Sequence, residues 1–146
     1  MEKDGVTIRG KFRKLVVYSA DVAAIESLAV RGRLVYFVFA KCPSTVGGLY
    51  SFNFEGRPVD IVLKNDTNSC SEIKRVASFK NSLAFTDSGA HQVKVYNPVD
   101  RAVTIQVGSG PRRNEDGTAR SCTFVQPHGI YTVGETIFAT SAQQGT

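Results

Sequence analysis

The feature that most constrains this chain is a long series of short, strand-like apolar segments with no stretch of helical hydrophobic period. Clusters of Val, Ile, Leu, Phe, Tyr and Thr are separated throughout by Gly, Pro, Asn, Asp and Ser. That punctuation predicts strands joined by tight turns. Leu15-Val16-Val17-Tyr18 reads as an early strand, and the Ala-rich stretch from Ala20 to Ala24 is too short for an independent helix. The chain is expected to be all-β.

The later strands come in sets of four. Ile25 to Val30, Leu34 to Ala40, Leu49 to Phe54 and Pro58 to Leu63 form one set, and Ile73 to Phe79, Leu83 to Asp87, Gln92 to Tyr96 and Ala102 to Val107 form a second. A third begins with Gly129 to Val133 and Ile137 to Ser141. Leu34 answers Leu83 49 positions on, Val59 answers Val103 44 positions on, and Leu83 answers Ile137 54 positions on. A period of this length with four strands per unit predicts propeller blades. The segment Leu34-Val35-Tyr36-Phe37-Val38-Phe39 is apolar at consecutive positions, so both faces of its sheet need cover. Stacked blades supply it.

Between the second and third sets stand Gly108-Ser109-Gly110, then Asp116-Gly117, Ala119, Phe124, Pro127 and Gly129-Ile130. This series resembles the blade junction of NHL-repeat propellers. Leu83-Ala84-Phe85-Thr86-Asp87-Ser88-Gly89-Ala90-His91-Gln92-Val93 is similar to that family's strand, Asp, Asn-His turn and next strand, with Ala90 in place of the Asn. Ser141 stands where the family has Asp, and Val38 to Leu49 has lost the signature. The resemblance is specific over residues 73–141. It implies a partial β-propeller of about three four-stranded antiparallel blades acting as a protein-binding scaffold, with Phe124 plugging between blades.

At about 48 residues per blade, 146 residues supply about three, whereas propellers close with roughly four to eight. Residues 1–146 are therefore expected to be a single partial propeller: 1–24 the end of a preceding blade, 25–63 and 73–107 two blades, 108–128 an inter-blade loop, and 129–146 a truncated blade. A truncated product or excised piece is the expected origin. Closure by the remaining blades or by self-association are the alternatives.

The chain carries 18 Lys and Arg against 13 Asp and Glu, a net charge of +5, which permits an acidic partner without requiring one. In a blade the loops after strands two and four share one rim. There Lys41, Lys64, Arg112, Arg113 and Arg120 are cancelled by Asp66, Glu72, Asp87, Glu115 and Asp116. The opposite rim, with Arg31, Arg33, Arg57, Lys80 and Arg101 against Glu55, Asp100 and Glu135, has a surplus of two cations. Arg9, Lys11, Arg13 and Lys14 add a basic stretch near the N-terminus. The NHL resemblance makes single-stranded RNA the alternative partner, but that binding enlists several unopposed cations and exposed aromatics. Most of the aromatics here fall inside strands.

Candidate binding residues are Lys41, His91, Arg112, Arg113, Arg120 and His128, with both histidines read as turn residues beside Gly89 and Gly129. No Ser, His or Asp sits in a specific nucleophile context, so no enzyme and no cofactor is expected. A metal-dependent lyase, known among distant propellers, is a third reading that two histidines hardly supply. Cys42, Cys70 and Cys122 lack the spacing of a zinc site and suit a reducing compartment. Asn65-Asp66-Thr67 fits a glycosylation sequon and reads as a polar loop. The N-terminus lacks an apolar leader and no long apolar run follows, so a cytoplasmic location without membrane contact is expected. A protein is the expected partner.

Overall fold

The computed structural model describes residues 2–3, 6–7, 25–39, 47–53, 60–66, 70–108, 117–118, 121–122 and 125–141. Glu2–Lys3 (β1) and Val6–Thr7 (β2) form a small antiparallel pair. Ile25–Arg31 (β3), Leu34–Phe39 (β4), Gly48–Asn53 (β5) and Asp60–Lys64 (β6) make a four-stranded antiparallel meander in chain order. Ile73–Phe79 (β7), Ser82–Asp87 (β8), Gln92–Tyr96 (β9) and Val103–Val107 (β10) make a second. Pro127–Val133 (β11) and Thr136–Ser141 (β12) form a two-stranded sheet that begins a third unit. All elements among the described residues are strands, and no helix among them is long and apolar enough to cross a membrane.

The first strand of each unit turns into the second through two residues, the first of which has positive φ: Gly32 (61°), Lys80 (51°) and Gly134 (55°). That conformation matches the twist of the flanking strands and suits glycine best. Three equivalent turns fix one register for all three units. Val30 pairs with Val35, Ser78 with Leu83 and Thr132 with Ile137. Leu83 is therefore the counterpart of Val35, 48 positions earlier, and not of Leu34 as the sequence alignment had it. A one-residue slip moves a side chain to the other face of a sheet, and Leu34 is indeed half-exposed while Leu83 is fully buried. The 54-residue spacing to Ile137 agrees with the expectation.

The units stack through their first strands. Ser78 donates its hydroxyl to the Val30 carbonyl (2.7 Å), and its counterpart Thr132 donates to the Ser78 carbonyl (2.6 Å). The Val76 amide donates to the Ser27 hydroxyl (3.0 Å). Between the first two blades lies the principal core, with Tyr36, Val38 and Leu49 on one side and Ile73, Val76, Leu83 and Phe85 on the other. Burying each of the larger apolar side chains contributes about 1.5–3 kcal/mol. On the far face of the first blade Phe37 meets Phe39 edge-on at 5.0 Å and stacks with Tyr50 at 5.8 Å. Both faces of the β4 sheet are thus covered, as its unbroken apolar run requires.

Asn65 ties the two blades at their connection: its side-chain oxygen accepts the Ile73 amide (3.0 Å) and its own amide donates to the Gly47 carbonyl (2.8 Å). The proposed early strand at Leu15–Tyr18, the plug residue Phe124, and residues 142–146 lie outside the described residues.

Cys70 enters the core beside these ties. It is 1% exposed, and burial pushes its thiol up to about 12, an effect the Lys94 charge opposes. In the unfolded chain the thiol ionises near 9. Between those two values the unfolded state binds fewer protons than the folded one, so this thiol's contribution to stability is complete below pH 9 and lost as pH rises toward 12. Urea midpoints should fall over that window and fall less in Cys70→Ala. A parallel decline in both proteins would show that the loss comes from other groups.

Candidate functional site

Two of the residues singled out from sequence, His91 and His128, each make a separate hydrogen bond at the junction between the second and third blades. His91 ends the β8–β9 turn in the left-handed conformation (φ 58°), and its Nδ1 accepts the Gln126 amide at 3.0 Å. An accepting Nδ1 carries no proton, so the ring there is the Nε2–H tautomer. His128 lies within β11 and not on a turn, because pairing of β11 with β12 starts at Pro127. Its carbonyl accepts the Thr86 hydroxyl at 2.9 Å. Lys41, Arg112, Arg113 and Arg120 lie outside the described residues.

Asp87 ends β8 and is fully buried. Its carboxylate accepts the amides of Ser71 (2.9 Å) and Glu72 (2.8 Å) and the Lys94 ammonium (2.8 Å). The Asp at this position is therefore a latch, holding the end of strand two to the residues that precede strand one. Ser141, its counterpart in the third blade, keeps the connection with reversed polarity by donating to the Val125 carbonyl. Phe39 takes the same place in the first blade and packs into the aromatic cluster.

A concave feature with mixed chemistry lies elsewhere, on the rim formed by the loops after strands one and three. A groove of about 440 Å³ runs between the first two blades. Tyr36, Ser51 and Tyr96 line it together with Asp60 at the start of β6 and Pro98 and Arg101 of the β9–β10 loop. That loop is fixed from within: Arg101 (φ 61°) donates its amide to the Asn97 carbonyl (2.8 Å), and the Asn97 side chain accepts the Val99 amide (2.9 Å). Asp100 likewise accepts the Ala102 amide (2.9 Å). Burial raises the pKa of both tyrosines, with Tyr96 adding to the rise at Tyr36 and Arg31 opposing it. At Tyr96 burial again leads, opposed by Arg101. Both phenols stay protonated at neutral pH, so the groove offers two hydroxyls that donate or accept, one carboxylate and one guanidinium.

No family model matches this chain, and no curated protein matches it by sequence. Chains of solved structure do match. One is a structural-genomics protein of unknown function from Bacteroides thetaiotaomicron, 17% identical, aligned over 82% of this chain with a TM-score of 0.61. The fold is a partial β-propeller. The chain spans 30% of the length of that solved relative, and at such low identity the likeness concerns the fold alone.

In the propeller frame, the groove opens on the rim for which the sequence gives a surplus of two cations. Sequence reasoning placed Arg101 on that rim but not in a site, because its groove partners sit in four different strands of two blades. A faint signal was present in the tyrosines. A Tyr inside an otherwise apolar run, as in Val35-Tyr36-Phe37, carries a hydroxyl that must reach a partner or an opening.

Proposed function

We propose that this chain is a non-enzymatic interaction module of the cytoplasm, an NHL-like propeller scaffold that holds a segment of a partner protein in the groove between its first two blades. The supporting observation is the groove's composition: Asp60 and Arg101 offer opposite charges beside the neutral hydroxyls of Tyr36, Ser51 and Tyr96. A polypeptide presents alternating amide donors and carbonyl acceptors, which this mixture satisfies at both polarities. Arg and Tyr are also residue types enriched where interfaces bind most tightly. Single-stranded nucleic acid would need unopposed cations and ring faces open to stacking, whereas Tyr36 and Tyr96 are 3% and 6% exposed. Among the described residues, Cys70 is buried and His91 Nδ1 accepts a backbone amide, so these two groups serve structure.

Selection from a displayed library of random peptides tests the reading. Binders should lose affinity by about tenfold or more, roughly 1.4 kcal/mol, on Asp60→Lys or Arg101→Asn. The asparagine tolerates the left-handed backbone at that position. Binders insensitive to both changes, or steeply salt-dependent binding of an oligouridylate in place of peptide, would reject it.

A further inference from the structure

Three buried hydroxyls in the groove between the first two blades lack a partner among the described residues. Tyr36, Ser51 and Tyr96 are 3%, 6% and 6% exposed and line the groove, yet none makes a side-chain hydrogen bond there. Hydroxyls elsewhere in these blades are satisfied: Ser27 accepts the Val76 amide, Thr86 donates to the His128 carbonyl and Ser88 to the Pro127 carbonyl. Buried polar groups are as a rule hydrogen-bonded, so exceptions that converge on one opening point to a ligand.

Strand register fixes how they converge. Ala29, Tyr36, Ser51 and Asp60 pair in turn across β3, β4, β5 and β6, and paired residues share a face. Tyr96 meets this row from the second blade, both tyrosines belonging to the core that the blades share. Arg31, two residues beyond Ala29 along β3, lies on the same face diagonal to Tyr36, and its Nε is buried with no acceptor among the described residues. Asp60 stands two strands from Tyr36, about 10 Å at the usual strand spacing. The row is therefore cationic at its Tyr36 end and anionic at its Asp60 end.

We infer that the Tyr36 end of the groove is a receptor for a carboxylate of the partner, held by the hydroxyls of Tyr36, Tyr96 and Ser51 and by the Arg101 guanidinium. The inference deepens the groove reading given above and takes its occupant, a partner segment, from it. A carboxylate only accepts, and its roughly four lone-pair sites suffice for these donors, whereas a backbone carbonyl offers half as many. Hydrogen bonds to an ionised acceptor are also about twice as strong as neutral ones. An ammonium in this place would meet Arg31 and Arg101. At Tyr36 burial and Tyr96 raise the pKa and Arg31 lowers it. At Tyr96 burial raises it, Arg101 lowers it, and Asp100, whose carboxylate accepts the Ala102 amide, raises it less. The strongest full charge felt at each phenol is thus a guanidinium. An Asp or Glu side chain and a chain terminus both supply the carboxylate.

Three capped compounds of similar size test the receptor on the full chain. N-acetyl-glutamate methylamide carries a side-chain carboxylate alone, N-acetyl-glutamine a terminal carboxylate alone, and N-acetyl-glutamine methylamide neither. Followed through the amide resonances of Tyr36, Ser51 and Tyr96, at least one acid is expected to bind about tenfold or more tightly than the neutral compound, and the tighter acid identifies the source. The double variant Tyr36→Phe, Tyr96→Phe should erase that preference and keep its urea midpoint, because the hydroxyls it removes hold nothing within the protein. Equal binding of all three compounds, no binding of either acid, or a preference that survives in the double variant would overturn the inference. So would a marked loss of stability in that variant, since the hydroxyls would then be bonded internally. Library peptides that depend on Asp60 and Arg101 without preferring a carboxylate would leave the groove reading standing and remove this one. A preference among the small compounds where no peptide binds would keep the receptor and remove the peptide.

Discussion

Replacing Asp87 by alanine is expected to destabilise the protein by about 3–5 kcal/mol, the range for removing one partner of a buried ion pair. Asp87 and Lys94 side chains are 0% and 8% exposed, so solvent does little to screen either charge. The substitution takes away the carboxylate at 2.8 Å from the ammonium and also the acceptor for the Ser71 and Glu72 amides. Lys94→Met should cost less, about 1.5–3 kcal/mol, because the Asp87 carboxylate keeps those amide donors. The order of the two losses is the informative result, and urea denaturation of both variants beside an exposed control such as Glu135→Ala measures it. If Asp87→Ala behaves like the control, the latch carries no stability.

Phe85→Ala should be as damaging, at about 3–5 kcal/mol. Phe85 is fully buried in the core between the first two blades, where Val76, Leu83 and Tyr96 belong to the same cluster. Those neighbours are held by sheet pairing on both sides of β8, so the space left by the ring closes only in part. The loss combines the lost transfer free energy with the cavity that remains. Phe85→Leu retains most of the volume and should recover more than half of the loss in the same measurement. Equal losses in both variants would mean that the ring's shape, and not its volume, sets the packing.

The strands were legible because their composition admits no other local structure. β7 and β9 run over the expected residues, Ile73–Phe79 and Gln92–Tyr96, where turn residues bracket an apolar segment closely. Phase was legible only where polar residues interrupt the pattern. Leu34 to Phe39 is apolar throughout and gives alternation nothing to register against, hence the one-residue error at Leu34; hydrogen-bonded pairing with β3 settles it. His128 was misassigned for a related reason: glycine usually ends a strand, yet Gly129 continues β11 with its amide donated to the Thr140 hydroxyl at 2.9 Å. The groove was illegible because Tyr36, Ser51, Asp60, Tyr96 and Arg101 converge only when two blades are stacked. A motif search reads neighbours in the chain, and these residues are neighbours only in space.

The hydroxyl contacts along the first strands bear on how this molecule comes apart. Ser78 stands in the middle of a relay, donating to Val30 in the blade before it and accepting from Thr132 in the blade after it. Releasing either outer blade strips the second blade of a bond on that side and exposes a polar group that had been satisfied. Adjacent units in a repeat array melt one by one only when such nearest-neighbour coupling is weak. Here the serine's two bonds act beside the Val76–Ser27 and Thr86–His128 hydrogen bonds and the shared core, so the second blade is the keystone of the three described units, with the outer two leaning on it from opposite sides.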